Sequence, residues 1–140
     1  MIVLDTNVMS ELMRVDADAT VTAWLDRRPA ESVWTASVCV FEIRHGIVAL
    51  APGRRRRALE RAFDEVLDGV LDGRVLDFDR AAAFEAARIA IDMKARGHGI
   101  DVRDLQIAAT AGVRRATLVT RNARHFAETG IELADPWSTT

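Results

Sequence analysis

The sequence predicts an α/β fold in which a mostly parallel sheet is covered by helices on both faces. Two observations carry this. Short apolar runs of β-formers alternate with segments of helical period along nearly the whole chain, as strand–helix–strand units require. And 140 residues fit one domain of ordinary size, so the alternation builds one sheet and one site, with residues 1–140 as a single unit.

The first run, Met1 to Leu4, ends abruptly in Asp5-Thr6-Asn7, and a helical pattern through Val8, Leu12 and Met13 begins at once. Ala17 to Arg28 again has helical spacing, with Val21, Trp24 and Leu25 on one side, and Pro29 stops it. Val33-Trp34-Thr35 reads as a second strand, after which Ser37 offers an N-cap for a helix to about Leu50. Pro52-Gly53 breaks that pattern, and a long amphipathic helix is predicted from Arg54 to Leu71, ending near Asp72-Gly73. Val75 to Phe78 is a third strand. Asp79 caps a helix through Phe84, Ala87 and Ile91, and Gly97 and Gly99 bound a loop. A helix from about Val102 to Val113, a fourth strand Thr117 to Thr120, a turn of helix from Asn122 to Phe126 and an edge strand Ile131 to Leu133 complete the series.

Composition narrows the class. With 49% hydrophobic and 29% charged residues the chain is globular, and no apolar run is long enough to suggest a membrane span. The N-terminal run lacks a basic flank and is broken by Asp5, unlike a secretory signal. The lone Cys39, in an apolar stretch, reads as a small buried hydrophobe compatible with a reducing compartment, so a cytoplasmic protein is expected. A net charge of −2 gives no overall attraction to nucleic acid, so any such binding must come from local patches. The dense run Arg54 to Arg57 is read as a solvated helix face rather than a contact for RNA or an acidic partner segment.

The informative residues are acids. Asp5 stands at the end of the first strand, where open α/β sheets bind ligands, although Asp5, Thr6 and Asn7 are also good helix caps. Glu42 falls on a helix with Val38, Phe41, His45 and Gly46 as axial neighbours. A carboxylate among apolar side chains is costly unless an ion or donor satisfies it; the alternative is that Glu42 reaches solvent at the helix edge. Asp104 heads the stripe Ile107, Ala108 and Ala111 that should face the protein; it also stands three residues after Asp101, as in a capping box, and the two readings are compatible, with Asp101 as cap and Asp104 facing the crevice. Asn122 follows the fourth strand and can hold a water or orient an acid, or act as a turn residue. His45, His98 and His125 lack zinc spacing, and His45 lies one turn from Glu42, within reach of a supporting role. Asp77 and Asp79 are left out of the site. Three acids on separate elements at one sheet edge repel unless hard divalent cations join them, and Mg²⁺ and Mn²⁺ prefer such oxygen ligands.

Leu4-Asp5-Thr6-Asn7, Phe41-Glu42 followed by Gly46, Asp104-Leu105-Gln106-Ile107-Ala108-Ala109, and Val119-Thr120-Arg121-Asn122 with Phe126 resemble the ordered motifs of PIN-domain ribonucleases. The likeness is to the VapC toxins, in their FitB-like branch, and extends through Trp24-Leu25 and Gly53 to Arg56 as far as Pro136-Trp137. The resemblance implies a three-layer α/β/α sandwich and a Mg²⁺- or Mn²⁺-dependent endoribonuclease, the toxin of a type II toxin–antitoxin pair. It implies a homodimer, an RNA substrate such as transfer RNA, and a cognate VapB-type antitoxin. Matched residue by residue, Asp5 and Asp104 are the implied metal ligands with Glu42 as third acid, and Asn122 is the fourth site residue. Because many relatives carry an acid where this chain has Asn122, the expectation is one firmly bound ion, with a second only when RNA phosphate supplies charge. The same neutral residue motivates an alternative, a PIN domain that binds RNA or protein without cutting. A phospho-acceptor receiver domain also gathers acids at a sheet edge, but it needs a lysine late in the sheet, and Lys94 lies mid-helix.

Overall fold

The computed structural model describes residues 1–138. Its five strands, β1 (Ile2–Leu4), β2 (Val33–Ala36), β3 (Val75–Leu76), β4 (Thr117–Val119) and β5 (Leu133–Ala134), all run parallel in the order β3-β2-β1-β4-β5. The chain therefore starts in the middle, winds outward to β3, returns to the far side of β1 as β4, and ends at β5. The order reverses between β1 and β4, and this is where an open parallel sheet parts to leave a crevice at its carboxyl edge. Register places the two strand ends side by side, with Leu4 opposite Val119.

The helices are α1 (Thr6–Leu12), α2 (Ala19–Asp26), α3 (Ser37–Val48), α4 (Arg54–Asp64), α5 (Arg80–Ala95), α6 (Val102–Val113) and α7 (Ala123–Phe126). They form layers on both sides of the sheet, as the alternation predicts. Successive strand residues point to opposite faces. Leu4 and Val119 accordingly join Val8, Met9, Val21, Ile43 and Phe63 in one core, while Val3 and Leu118 join Cys39, Ile107, Ala108 and Phe126 in the other. A smaller cluster of Ala86, Ile89, Met93 and Ala109 fastens α5 to α6. Leu118→Ala would empty a fully buried position in a strand flanked on both sides, and we expect a loss of about 3 kcal/mol, read by urea denaturation.

Several boundaries differ from expectation for local reasons. Helix α2 starts at Ala19 because Asp18 caps it, its carboxylate accepting from the Thr20 N–H. Ser37 is not a cap: it is the first residue of α3, and its hydroxyl accepts instead from the Phe78 N–H at 3.2 Å. The predicted helix 54–71 is α4 followed by a π-helical stretch, Glu65–Val70, ending at Asp72 and Gly73, which both take positive φ (50° and 72°) to turn the chain into β3. Strand β3 stops at Leu76, and β5 lies one residue later than expected at its end, at Leu133–Ala134. Thr120 lies just past β4, although its N–H still reaches the Ala134 carbonyl at 2.9 Å.

Helix α5 corrects a facing. Its apolar residues form two stripes, and the buried one is Ala82, Ala86, Ile89 and Met93; Phe84 and Ile91 are exposed. Asp79 caps it as predicted, accepting from the Ala82 N–H. The Arg54 to Arg57 run does lie on the solvent side, with Arg56 half-buried and paired to Glu60 at 3.5 Å.

Candidate active site at the β1–β4 switch point

Asp5 stands where β1 passes into α1, and only 5% of it is exposed. Burying a carboxylate is costly unless donors surround it, and here there are three. The Thr6 N–H donates to Oδ1 at 2.7 Å, the Thr120 hydroxyl to Oδ2 at 2.7 Å, and the Asn7 side-chain amide to Oδ2 at 3.3 Å. The Thr120 contact follows from register, because the Asp5 N–H bonds the Val119 carbonyl and so brings residues 5 and 120 level. Burial nonetheless outweighs these donors and raises the Asp5 pKa, with the Glu42 charge adding to the rise.

Glu42 comes from α3, whose buried side is Cys39, Ile43 and Ile47 at helical spacing. Its environment is not the apolar one its neighbours suggested. Phe41, His45 and Gly46 are exposed, and Glu42 flanks the buried stripe with its side chain 23% accessible. Oε1 accepts from the Thr6 hydroxyl at 2.9 Å, and Oε2 lies 3.7 Å from the Arg103 guanidinium. His45 does not support it; that ring packs on Phe41, with centroids 5.7 Å apart. Arg44 turns away to Glu60, at 3.1 Å.

Asp104 heads the buried stripe of α6 as expected, with Asp101 accepting from the Arg103 N–H as cap. His125 Nδ1 lies 3.6 Å from Asp104 Oδ2. Partial burial raises its pKa, followed by repulsion from Asp5 and Asp101 and, more weakly, from Glu42. Asn122 is exposed at the start of α7; its N–H donates to the Thr120 hydroxyl oxygen at 3.0 Å, and its side chain caps nothing.

All four sequence-predicted residues thus line one crevice of about 490 Å³, together with Thr6, Asn7, Ser10, Glu11, Arg14, Arg121 and Trp137. Sequence reasoning missed the two threonine hydroxyls, Arg103, and the Trp137 wall. Thr120 carried a signal: like Asp5, it is the first polar residue after an apolar strand. Nothing local marked Arg103 as a neighbour of Glu42, since the two lie 61 residues apart by their numbering.

The three acids sense one another electrostatically, and a donor set of carboxylate oxygens with amide and hydroxyl neighbours suits a hard divalent cation. Among the described residues no three His, Cys, Asp or Glu side chains are yet drawn close enough to enclose an ion, so the acids form an open cluster. That clustering has a cost in the metal-free protein. A raised folded pKa means the folded state holds its proton more tightly than the unfolded chain, so this contribution to stability is present below the ordinary value of 3.8 and is lost as pH rises through the folded value. Asp104→Asn should therefore melt higher than wild type at neutral pH without metal, by roughly 2 °C, and the difference should close in acid. Calorimetry across that pH range, with chelator present, checks it.

A family profile for the PIN domain matches residues 2–132. The chain belongs to the PIN domain family. Among PIN relatives it is 36% identical to the VapC ribonuclease Y4jK of Sinorhizobium fredii and 34% identical to Toxin FitB of Neisseria gonorrhoeae, over 98% of this chain and 98% and 99% of theirs. The crystal structure of FitAcB from Neisseria gonorrhoeae superposes with a TM-score of 0.88 at 34% identity, covering 98% of this chain and 99% of that one. The three-layer PIN sandwich implied by the motifs is therefore the fold of this chain, and its crevice lies where the PIN-like motifs converge.

Proposed function

We propose that this PIN domain is an endoribonuclease that uses Mg²⁺ or Mn²⁺, and that it is the toxin of a type II toxin–antitoxin pair restrained by a cognate VapB-type antitoxin. The observation that carries the reading is the gathering of Asp5, Glu42 and Asp104 in one crevice of a chain 36% identical to a VapC ribonuclease.

Asp5 is the fixed member, since three donors hold its carboxylate. Asp104 is the adjustable one: among the described residues none hydrogen-bonds its carboxylate, and His125 stands 3.6 Å from it. Glu42 completes the set from α3, steadied by Thr6. A bound divalent ion would neutralise charge on the phosphodiester and make an attacking water more acidic. The chain's own part is to hold three oxygens of like charge together, orient RNA between the walls and use the Asn122 amide to position water or an acid. No side chain need become a covalent nucleophile.

The same reading includes a homodimer, for which the exposed Phe84 and Ile91 of α5 offer apolar surface, a single-domain chain, and a cytoplasmic location. Among the described residues no helix is long and apolar enough to cross a membrane. Structured RNA, transfer RNA included, is the expected target class. The second reading, a domain that binds without cutting, draws on neutral Asn122 and on the open spacing of the acids. The test is RNA cleavage by antitoxin-free protein: cutting should require Mg²⁺ or Mn²⁺, stop with EDTA and return with excess Mn²⁺. Folded protein that binds RNA yet cuts none with either ion would favour the second reading.

A further inference from the structure

Two arginines are held on tryptophan faces rather than by acids. The guanidinium carbon of Arg121 lies 4.8 Å from the Trp137 ring centre, and that of Arg28 lies 3.8 Å from the Trp24 ring centre. Among the described residues neither guanidinium is paired with a carboxylate, whereas Arg14, Arg44, Arg56, Arg88, Arg96 and Arg103 all are. A guanidinium held over an indole face keeps N–H donors that no carboxylate occupies here. They are set for a two-point grip on an anionic oxygen pair.

The two stacks are neighbours in space. Trp137 and Arg121 form part of the acid crevice wall. Beside it lies a second cavity of about 560 Å³, lined by Trp24, Arg27 and Arg28 and by Ser138, the residue after Trp137. The cavities thus meet along the Trp137–Ser138 segment, and both tryptophans pack on the same hydrophobic core. Among the described residues no acid side chain lines the second cavity, whose charged side chains are Arg27 and Arg28, in contrast to the acids of the crevice.

We infer that the two arginine–tryptophan stacks are a track for single-stranded RNA leading out of the acid crevice. The inference rests on the ribonuclease reading and deepens it by naming the form of the substrate. The acids suit only the phosphate being cut; its neighbours along the strand need cations, and a chain of net charge −2 must supply them locally. Arg121 takes the phosphate next to the crevice, and Arg28 with Arg27 takes those beyond it. Unpaired bases stack on the guanidiniums and on the accessible parts of the half-buried indoles, a contact closed to duplex, whose bases are already stacked.

The test is fluorescence anisotropy of a labelled single-stranded RNA of about a dozen nucleotides, titrated with antitoxin-free protein in EDTA at several salt concentrations. Arg28→Gln and Arg121→Gln should each weaken binding several-fold and reduce the slope of log affinity against log salt by about 0.7. Trp24→Leu should cost about tenfold and Trp24→Phe much less, with melting curves to exclude misfolding. A duplex of the same sequence should be insensitive to the tryptophan changes. If wild type binds and cuts RNA and both arginine variants match it in affinity and slope, the track is wrong and the ribonuclease reading stands. If wild type neither binds nor cuts any RNA, both fall. Arginine variants that lose the antitoxin but keep RNA would assign this surface to the protein partner and overturn the inference.

Discussion

Asp5→Asn should leave a folded protein that no longer cuts RNA, with activity down by a factor of about 10³ or more, equivalent to about 4 kcal/mol of transition-state stabilisation. The size follows from the surroundings. A carboxylate at this position offers two acceptor oxygens, and three donors converge on them. An amide keeps an oxygen for the Thr6 N–H but turns an NH₂ toward the Thr120 hydroxyl and the Asn7 amide, which are both donating there. The substitution therefore removes a charge and disorders the donors around it. Titration of Mn²⁺ should show loss of the site in Asp5→Asn and in Asp104→Asn. Wild-type cleavage by Asp5→Asn would sink the proposed roles, because among the described residues no other acid of the crevice is held by three donors.

Fold and site were legible to different depths. Alternating strand and helix patterns were enough for a parallel sheet, because the short apolar runs at Val3-Leu4, Leu118-Val119 and Val33 have no other use in a chain of this length. The acids at the carboxyl edge were legible because Asp5 and Asp104 end or head apolar patterns, where a charge must be explained. Facing was less legible. Helix α5 carries two apolar stripes, and only packing against α6 decides that Ile89 and Met93 go inward while Phe84 and Ile91 stay out. Glu42 shows the same limit: its four axial neighbours suggested an apolar setting, yet three are exposed, because the helix is anchored through Cys39, Ile43 and Ile47. Ser37 illustrates a third, since its hydroxyl had two possible uses and the approach of Phe78, two residues past β3, determined which was taken. Contacts between distant segments, such as Thr6 with Glu42 or Arg103 with Glu42, depend on side-chain reach in the assembled crevice and leave no periodic mark.

Thr120→Val is expected to lower metal affinity, and RNA cleavage with it, by about 10- to 100-fold while the strand it follows keeps its place in the sheet. Valine has nearly the shape of threonine, so the core contacts of this fully buried residue persist while one hydroxyl is lost. That hydroxyl does two things at once: it donates to Asp5 Oδ2 and accepts from the Asn122 N–H. Losing it therefore loosens the best-held acid and the start of α7 together. The sign of the pH effect follows. The Thr120 hydrogen bond lowers the Asp5 pKa against the rise caused by burial, so its removal lets the pKa climb further. Mn²⁺ binding, which needs the carboxylate ionised, should then shift to higher pH in Thr120→Val, and Thr120→Ser should restore both affinity and profile. A merely structural role for the hydroxyl would lower the melting temperature and leave the pH profile where it was. The profile is thus the measurement that decides whether Thr120 positions the site's charge or only fills space beneath it.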